Sequence, residues 1–82
     1  MQKNEIFNIL KKSIMDVLPL VTESDIKPEQ KLFDLGANSI DRSEIIITSM
    51  AALKLKIPAS ELGKAKNIEG LIDVFYNALN KS

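Results

Sequence analysis

Leu32-Phe33-Asp34-Leu35-Gly36-Ala37-Asn38-Ser39-Ile40-Asp41-Arg42-Ser43-Glu44 is the stretch on which the reading of the fold turns. Its first half sets apolar residues among the turn formers Asp34, Gly36 and Asn38. Its second half opens a helix. Ser39 is a good N-cap, and Asp41 and Glu44 place negative charge in the first turn, where the helix dipole favours it. The pattern predicts a helix beginning at or beside Ser39. On local physics alone, Ser39 is an ordinary helix cap.

Downstream of that start, Ile45, Ile46, Ser49, Met50 and Leu53 recur at three- and four-residue spacing, which predicts one buried face on a helix running to about Lys54. Ile40, Ser43, Glu44 and Ile47 form a second stripe beginning beside Ser39. Periodicity leaves that stripe open, as extra core surface in a wide apolar arc or as an exposed contact surface. Lys56-Ile57-Pro58 ends the helix, and Pro58-Ala59-Ser60-Glu61-Leu62 suits one short turn that Gly63 can close. Asn67 then caps a last helix whose face is Ile68, Leu71, Ile72, Phe75 and Leu79. Gly70 inside it costs up to about 1 kcal/mol relative to alanine, and marks close packing.

Upstream, Ile6, Ile9, Leu10, Ile14, Val17 and Leu18 mark an amphipathic first helix that Pro19 should stop. From Leu20 to Asn38 the chain reads as a loop, long for so small a domain, with Ile26, Leu32, Phe33 and Leu35 as apolar anchors across the helix ends. The expectation is an all-α single domain over residues 1–82, with three longer helices and one short one.

Composition excludes much. In 82 residues there is room for one core and no deep active-site cleft. Without cysteine or histidine there is no disulfide framework or thiolate metal site, and the commonest general base and metal ligand are missing, so no metal is expected. Eleven basic and eleven acidic residues cancel, leaving no broad positive field for nucleic acid. The longest apolar run, Ile45 to Leu53, is far short of the roughly 18–20 residues of a membrane span, and the N-terminus lacks a signal-peptide apolar core. A cytoplasmic chain is expected. Ser39 would need a positioned base to act as a nucleophile, so an enzyme is not expected.

Arg42 stands out. A cation in the first turn opposes the helix dipole, and its neighbours at three and four residues, Asn38, Ser39, Ile45 and Ile46, include no acid. It lacks a local partner, and is read as a solvated side chain, as most surface arginines are, or as a group that contacts, one turn beyond Ser39, a phosphate or an acid on one dedicated partner protein. Lys54, Lys56, Lys64 and Lys66 follow the second helix, where lysines suit a helix C-terminus.

The run Gly36-Ala37-Asn38-Ser39-Ile40-Asp41, preceded by Leu32-Phe33-Asp34-Leu35 and followed by Lys56-Ile57-Pro58 and Lys66-Asn67-Ile68, resembles the acyl carrier proteins over nearly the whole chain. The resemblance implies a four-helix carrier bundle with a long first loop. It also implies 4'-phosphopantetheine attached to Ser39 by a phosphopantetheinyl transferase, the arm's thiol holding acyl groups as thioesters. Ile40, Asp41, Arg42, Ser43, Glu44 and Ile47 become the partner-docking residues, and the stripe is then expected to be exposed. The family usually has aspartate where this chain has Asn38, and is acidic where this chain is neutral.

Within the family, Asn38 to Ile46, with Leu55-Lys56-Ile57-Pro58, Glu61-Leu62 and Ala65-Lys66-Asn67-Ile68, is most similar to the free-standing, AcpK-like donor carriers of polyketide β-branching cassettes. That similarity implies an acetyl group made by decarboxylating a malonyl unit, then condensed by a hydroxymethylglutaryl (HMG)-synthase-like enzyme with a β-ketone held on another carrier. The partners it implies are the transferase, an acyltransferase, a malonyl decarboxylase and the HMG-synthase-like enzyme, around a monomeric carrier. The alternatives are a fatty-acid or aminoacyl carrier, or an unmodified helical interaction module docking through Ile40 and Ile47.

Overall fold

The first helix, α1 (Lys3–Val17), starts where the Gln2 amide donates to Glu5 Oε1 at 2.8 Å, and it ends before Pro19 with the Leu18 amide on the Ile14 carbonyl. A computed structural model of the protein describes residues 1–80. The remaining helices are α2 (Ser39–Leu53), α3 (Ala59–Leu62) and α4 (Ile68–Leu79). The expected all-α carrier-type bundle is present, and among the described residues no helix is long and apolar enough to cross a membrane.

The apolar faces meet as their spacing predicts. Ile6, Leu10 and Ile14 of α1 pack with Ile45 and Leu53 of α2 and with Ile68, Leu71, Ile72 and Phe75 of α4, all buried. Lys3 pairs with Asp73 at 2.9 Å, and its ammonium lies 5.2 Å from the Tyr76 ring centroid, tying the start of α1 to the latter half of α4. Gly70 is a close-approach position: a Cβ there would stand 3.1 Å from Ala65 Cα.

The long first loop is ordered by more than its apolar residues. Short 3-10 turns form at Glu23–Asp25 and Leu32–Leu35, and Thr22 donates both its amide and its hydroxyl to Asp25 Oδ2, each at 2.9 Å. The loop carbonyls of Gln30 and Pro28 accept the amides of Ile68 and Glu69 at 2.8 Å, so the loop satisfies donors that the start of α4 would otherwise leave unpaired. Ile26 and Leu32 are buried anchors and Leu35 is half-buried, but Phe33 is 68% exposed. The expectation for Phe33 is therefore corrected. In a 3-10 turn successive side chains point a third of a turn apart, so Leu32 and Leu35 share the inward side and Phe33 faces away.

Of the four downstream lysines, Lys54 caps α2 in the left-handed region at φ 56° and Lys64 pairs with Glu61 at 3.1 Å. Lys66 precedes α4 and so does not lie at a helix C-terminus.

Candidate functional site

Gly36, at φ 92°, turns the chain out of the 3-10 turn, and Ala37 buries itself in the core, so that Asn38 and Ser39 emerge at the head of α2. The cap is Asn38 and not Ser39, which corrects the expectation by one residue. The Asp41 amide donates to Asn38 Oδ1 at 2.8 Å, and the Asn38 amide donates to Asp41 Oδ2 at 3.2 Å, a reciprocal box. Asparagine and serine are nearly equal as caps, so propensity could not separate them; the position of the turn at Gly36 does.

Ser39 is thereby freed. It is the first residue of α2, exposed, and its hydroxyl has no structural duty in the cap. Its Oγ accepts a hydrogen bond from Arg42 Nη2 at 3.1 Å. Arg42 was read as lacking a local partner; that holds for acids, and the structure supplies a hydroxyl. The spacing of three residues along a helix was the signal available for it. A guanidinium cannot take a proton from a hydroxyl, so Arg42 does not serve Ser39 as a general base. Among the described residues no group of acidic side chains is placed to hold a metal.

The six residues expected to dock partners separate into groups. At about 100° per residue, Ile40, Glu44 and Ile47 share a stripe roughly a third of a turn around α2 from Ser39, Arg42 and Ile46, with Ser43 at the boundary. Ile40 is 76% and Ile47 62% exposed, so the stripe open to two readings is not core. Asp41 turns its carboxylate back into the cap and is half-buried. Arg42 and Ser43 line a cleft of about 430 Å³ on the other side of Ser39. Its apolar wall is Leu32, Phe33, Ile46, Leu62 and Leu71, and Lys31 and Lys66 join Arg42 among its charged residues. Phe33, Lys31 and Lys66 were not legible as site residues, because the first loop, which holds Lys31 and Phe33, and the α3–α4 connection, which holds Lys66, meet only in the fold.

The family description that matches, over residues 8–75, is "Phosphopantetheine attachment site". The chain belongs to the phosphopantetheine-binding acyl carrier family. This carrier is 42% identical, over the full length of both chains, to the "Polyketide biosynthesis acyl-carrier-protein AcpK" of Bacillus subtilis. It is 33% identical to the "Acyl carrier protein" of Campylobacter lari, covering 88% of this chain and 94% of the relative. Among solved structures it matches a chain in the crystal structure of the curacin biosynthetic pathway HMG synthase in complex with acetyl donor-ACP, with a TM-score of 0.83 and 40% identity, covering 92% of this chain and 96% of that one.

Carriers of this family are substrates of partner enzymes and not themselves catalysts; their cofactor is the covalent phosphopantetheine arm. The residues here fit that group. The Asp41 and Arg42 amides are occupied by Asn38, leaving the amides of Ser39 and Ile40 without a partner among the described residues. An anion joined to Ser39 Oγ would meet those donors, the positive end of α2 and the Arg42 guanidinium.

Proposed function

We propose that Ser39 carries the 4'-phosphopantetheine arm and that residues 1–82 act as one cytoplasmic, monomeric donor carrier in polyketide β-branching. The arm's thiol supplies the thioester. The load is an acetyl group made by decarboxylating a malonyl unit, and an HMG-synthase-like enzyme condenses it with a β-ketone on another carrier. The observation that carries the reading is Ser39 itself: an exposed hydroxyl at the head of α2, released from capping and bonded to a guanidinium that cannot act as its base, which suits a group to be modified. Full-length similarity to a polyketide carrier, and similarity to an acetyl-donor carrier in complex with an HMG synthase, support the donor role over a general fatty-acid or aminoacyl carrier.

Ile40, Glu44 and Ile47 present a small apolar stripe with a charge beside it, suited to brief contacts with several enzymes in turn: the phosphopantetheinyl transferase, the acyltransferase, the decarboxylase and the synthase. Asp41 contributes through the shape of the helix start, and Arg42 and Ser43 face the arm's side of the surface.

Intact mass after incubation with coenzyme A, magnesium and a broad-specificity transferase tests the attachment, with Ser39→Ala as control. Wild type gains one phosphopantetheine and the variant none. Malonyl loading followed by decarboxylase and synthase then tests the donor role. No mass gain with several transferases would overturn the carrier reading and favour an unmodified docking module, whose function Ser39→Ala would leave intact.

A further inference from the structure

Arg42 is exposed, sits in the first turn of α2 against the helix dipole, and is absent from the ion pairs of the described residues, which engage Lys3, Lys11 and Lys64. Its Nη2 nevertheless rests 3.1 Å from Ser39 Oγ, on the cleft side of the helix. We propose that Arg42 is the chain's own ligand for the phosphate at the root of the arm, and that it turns the arm toward the cleft walled by Phe33, Ile46 and Leu62. The inference rests on Ser39 being the attachment point.

The chemistry follows from what esterification does to Oγ. As a bridging ester oxygen it becomes a poor acceptor, while the charged non-bridging oxygens on the same phosphorus become the strongest acceptors near the guanidinium. Charge-assisted bonds from arginine to phosphate are shorter and roughly twice as strong as neutral ones, and the planar fork can engage two oxygens together. The phosphate also supplies the negative charge that offsets a cation in the first turn of a helix. Arg42 thus exchanges a neutral partner for an anionic one without leaving its place.

Direction is the second consequence. Lys31 and Lys66 line the same cleft, so the positive charge near Ser39 lies on that side, whereas Ile40, Glu44 and Ile47 lie roughly a third of a turn away. An arm rooted toward Arg42 leaves the apolar stripe uncovered, so a partner can grip the stripe while the arm departs beside it. Arg42 is a positioning residue in this scheme, and has no part in making or breaking the thioester.

The test compares apo and holo protein by nuclear magnetic resonance, with intact mass establishing that the arm is on. In wild type, loading moves the Arg42 Nε and Nη resonances, slows rotation of the guanidinium, and gives a hydrogen-bond coupling between an Arg42 nitrogen and the phosphorus; 1 M salt weakens all three. In holo Arg42→Gln the phosphorus resonance shifts relative to wild type, and Arg42→Lys restores part of the difference. The wild-type comparison decides the matter even if a variant loads poorly. Fully loaded protein whose Arg42 signals match the apo form overturns the clamp while leaving the carrier reading intact. Arg42 signals that move only when an acidic partner enzyme is added overturn it too, and assign the guanidinium to the partner. A wild-type chain that gains no mass removes both.

Discussion

Moving the cap from Ser39 to Asn38 separates the serine proposed to carry the arm from the stability of the helix that presents it, and two alanine variants measure that separation. Asn38→Ala removes Oδ1, the acceptor of the Asp41 amide at 2.8 Å, but keeps the Asn38 amide that donates to Asp41 Oδ2. Half of the box survives, so the loss should be near the middle of the range for N-caps, about 1 kcal/mol. In a domain of this size that lowers Tm by roughly 4–8 °C. Ser39→Ala removes an exposed hydroxyl whose described partner is the exposed Arg42, and should cost less than about 0.5 kcal/mol. Thermal unfolding followed by circular dichroism gives the two numbers, and amide exchange adds a local check: the Asp41 amide should exchange faster in Asn38→Ala and not in Ser39→Ala. Asn38→Asp is the control, since it keeps the acceptor and adds a charge the dipole favours, so its Tm should match or exceed wild type. If Ser39→Ala lost as much stability as Asn38→Ala, the serine would be the cap after all, and its loss of function could not be separated from damage to α2.

Two further outcomes follow from the packing and the loop. Ser49 is fully buried on α2 and its hydroxyl has no hydrogen-bond partner among the described residues; a buried unsatisfied group costs about 1–3 kcal/mol, so Ser49→Ala should stabilise the protein by about 1–2 kcal/mol in chemical denaturation and leave loading at Ser39 unchanged, and a fall in stability would show that the hydroxyl is satisfied in solution. The hydrogen bonds from the Thr22 amide and hydroxyl hold the Asp25 carboxyl below the usual aspartate range. A lowered folded value means that stability is present above the unfolded value and is lost as pH falls through the folded one. The Tm gap between wild type and Asp25→Asn should therefore be widest near neutral pH and close below the ordinary aspartate range, and a gap that does not change with pH would refute the role of the charge.

Much of this protein was determined by sequence alone, because its helices are local objects. The three- and four-residue recurrence of Ile6, Leu10 and Ile14, of Ile45, Ser49 and Leu53, and of Ile68, Leu71, Ile72 and Phe75 identified the faces that form the core. The Gly36–Asp41 motif marked the helix start and the serine proposed to carry the arm, and Pro58, Asn67 and Gly70 sit where their backbone chemistry requires. The tertiary structure decided what depends on groups distant in sequence or on one residue of register. Asn38 takes the cap because the left-handed turn at Gly36 delivers it, and not Ser39, to the end of the helix. Phe33 leaves the core because a 3-10 turn faces it away from Leu32. The long loop is held by α4 amides seeking acceptors, a bond between backbone groups that no side-chain pattern displays. The cleft beside Ser39 exists because Lys31, Arg42 and Lys66 are brought to one place by the packing of the helices, which periodicity on a single helix cannot express.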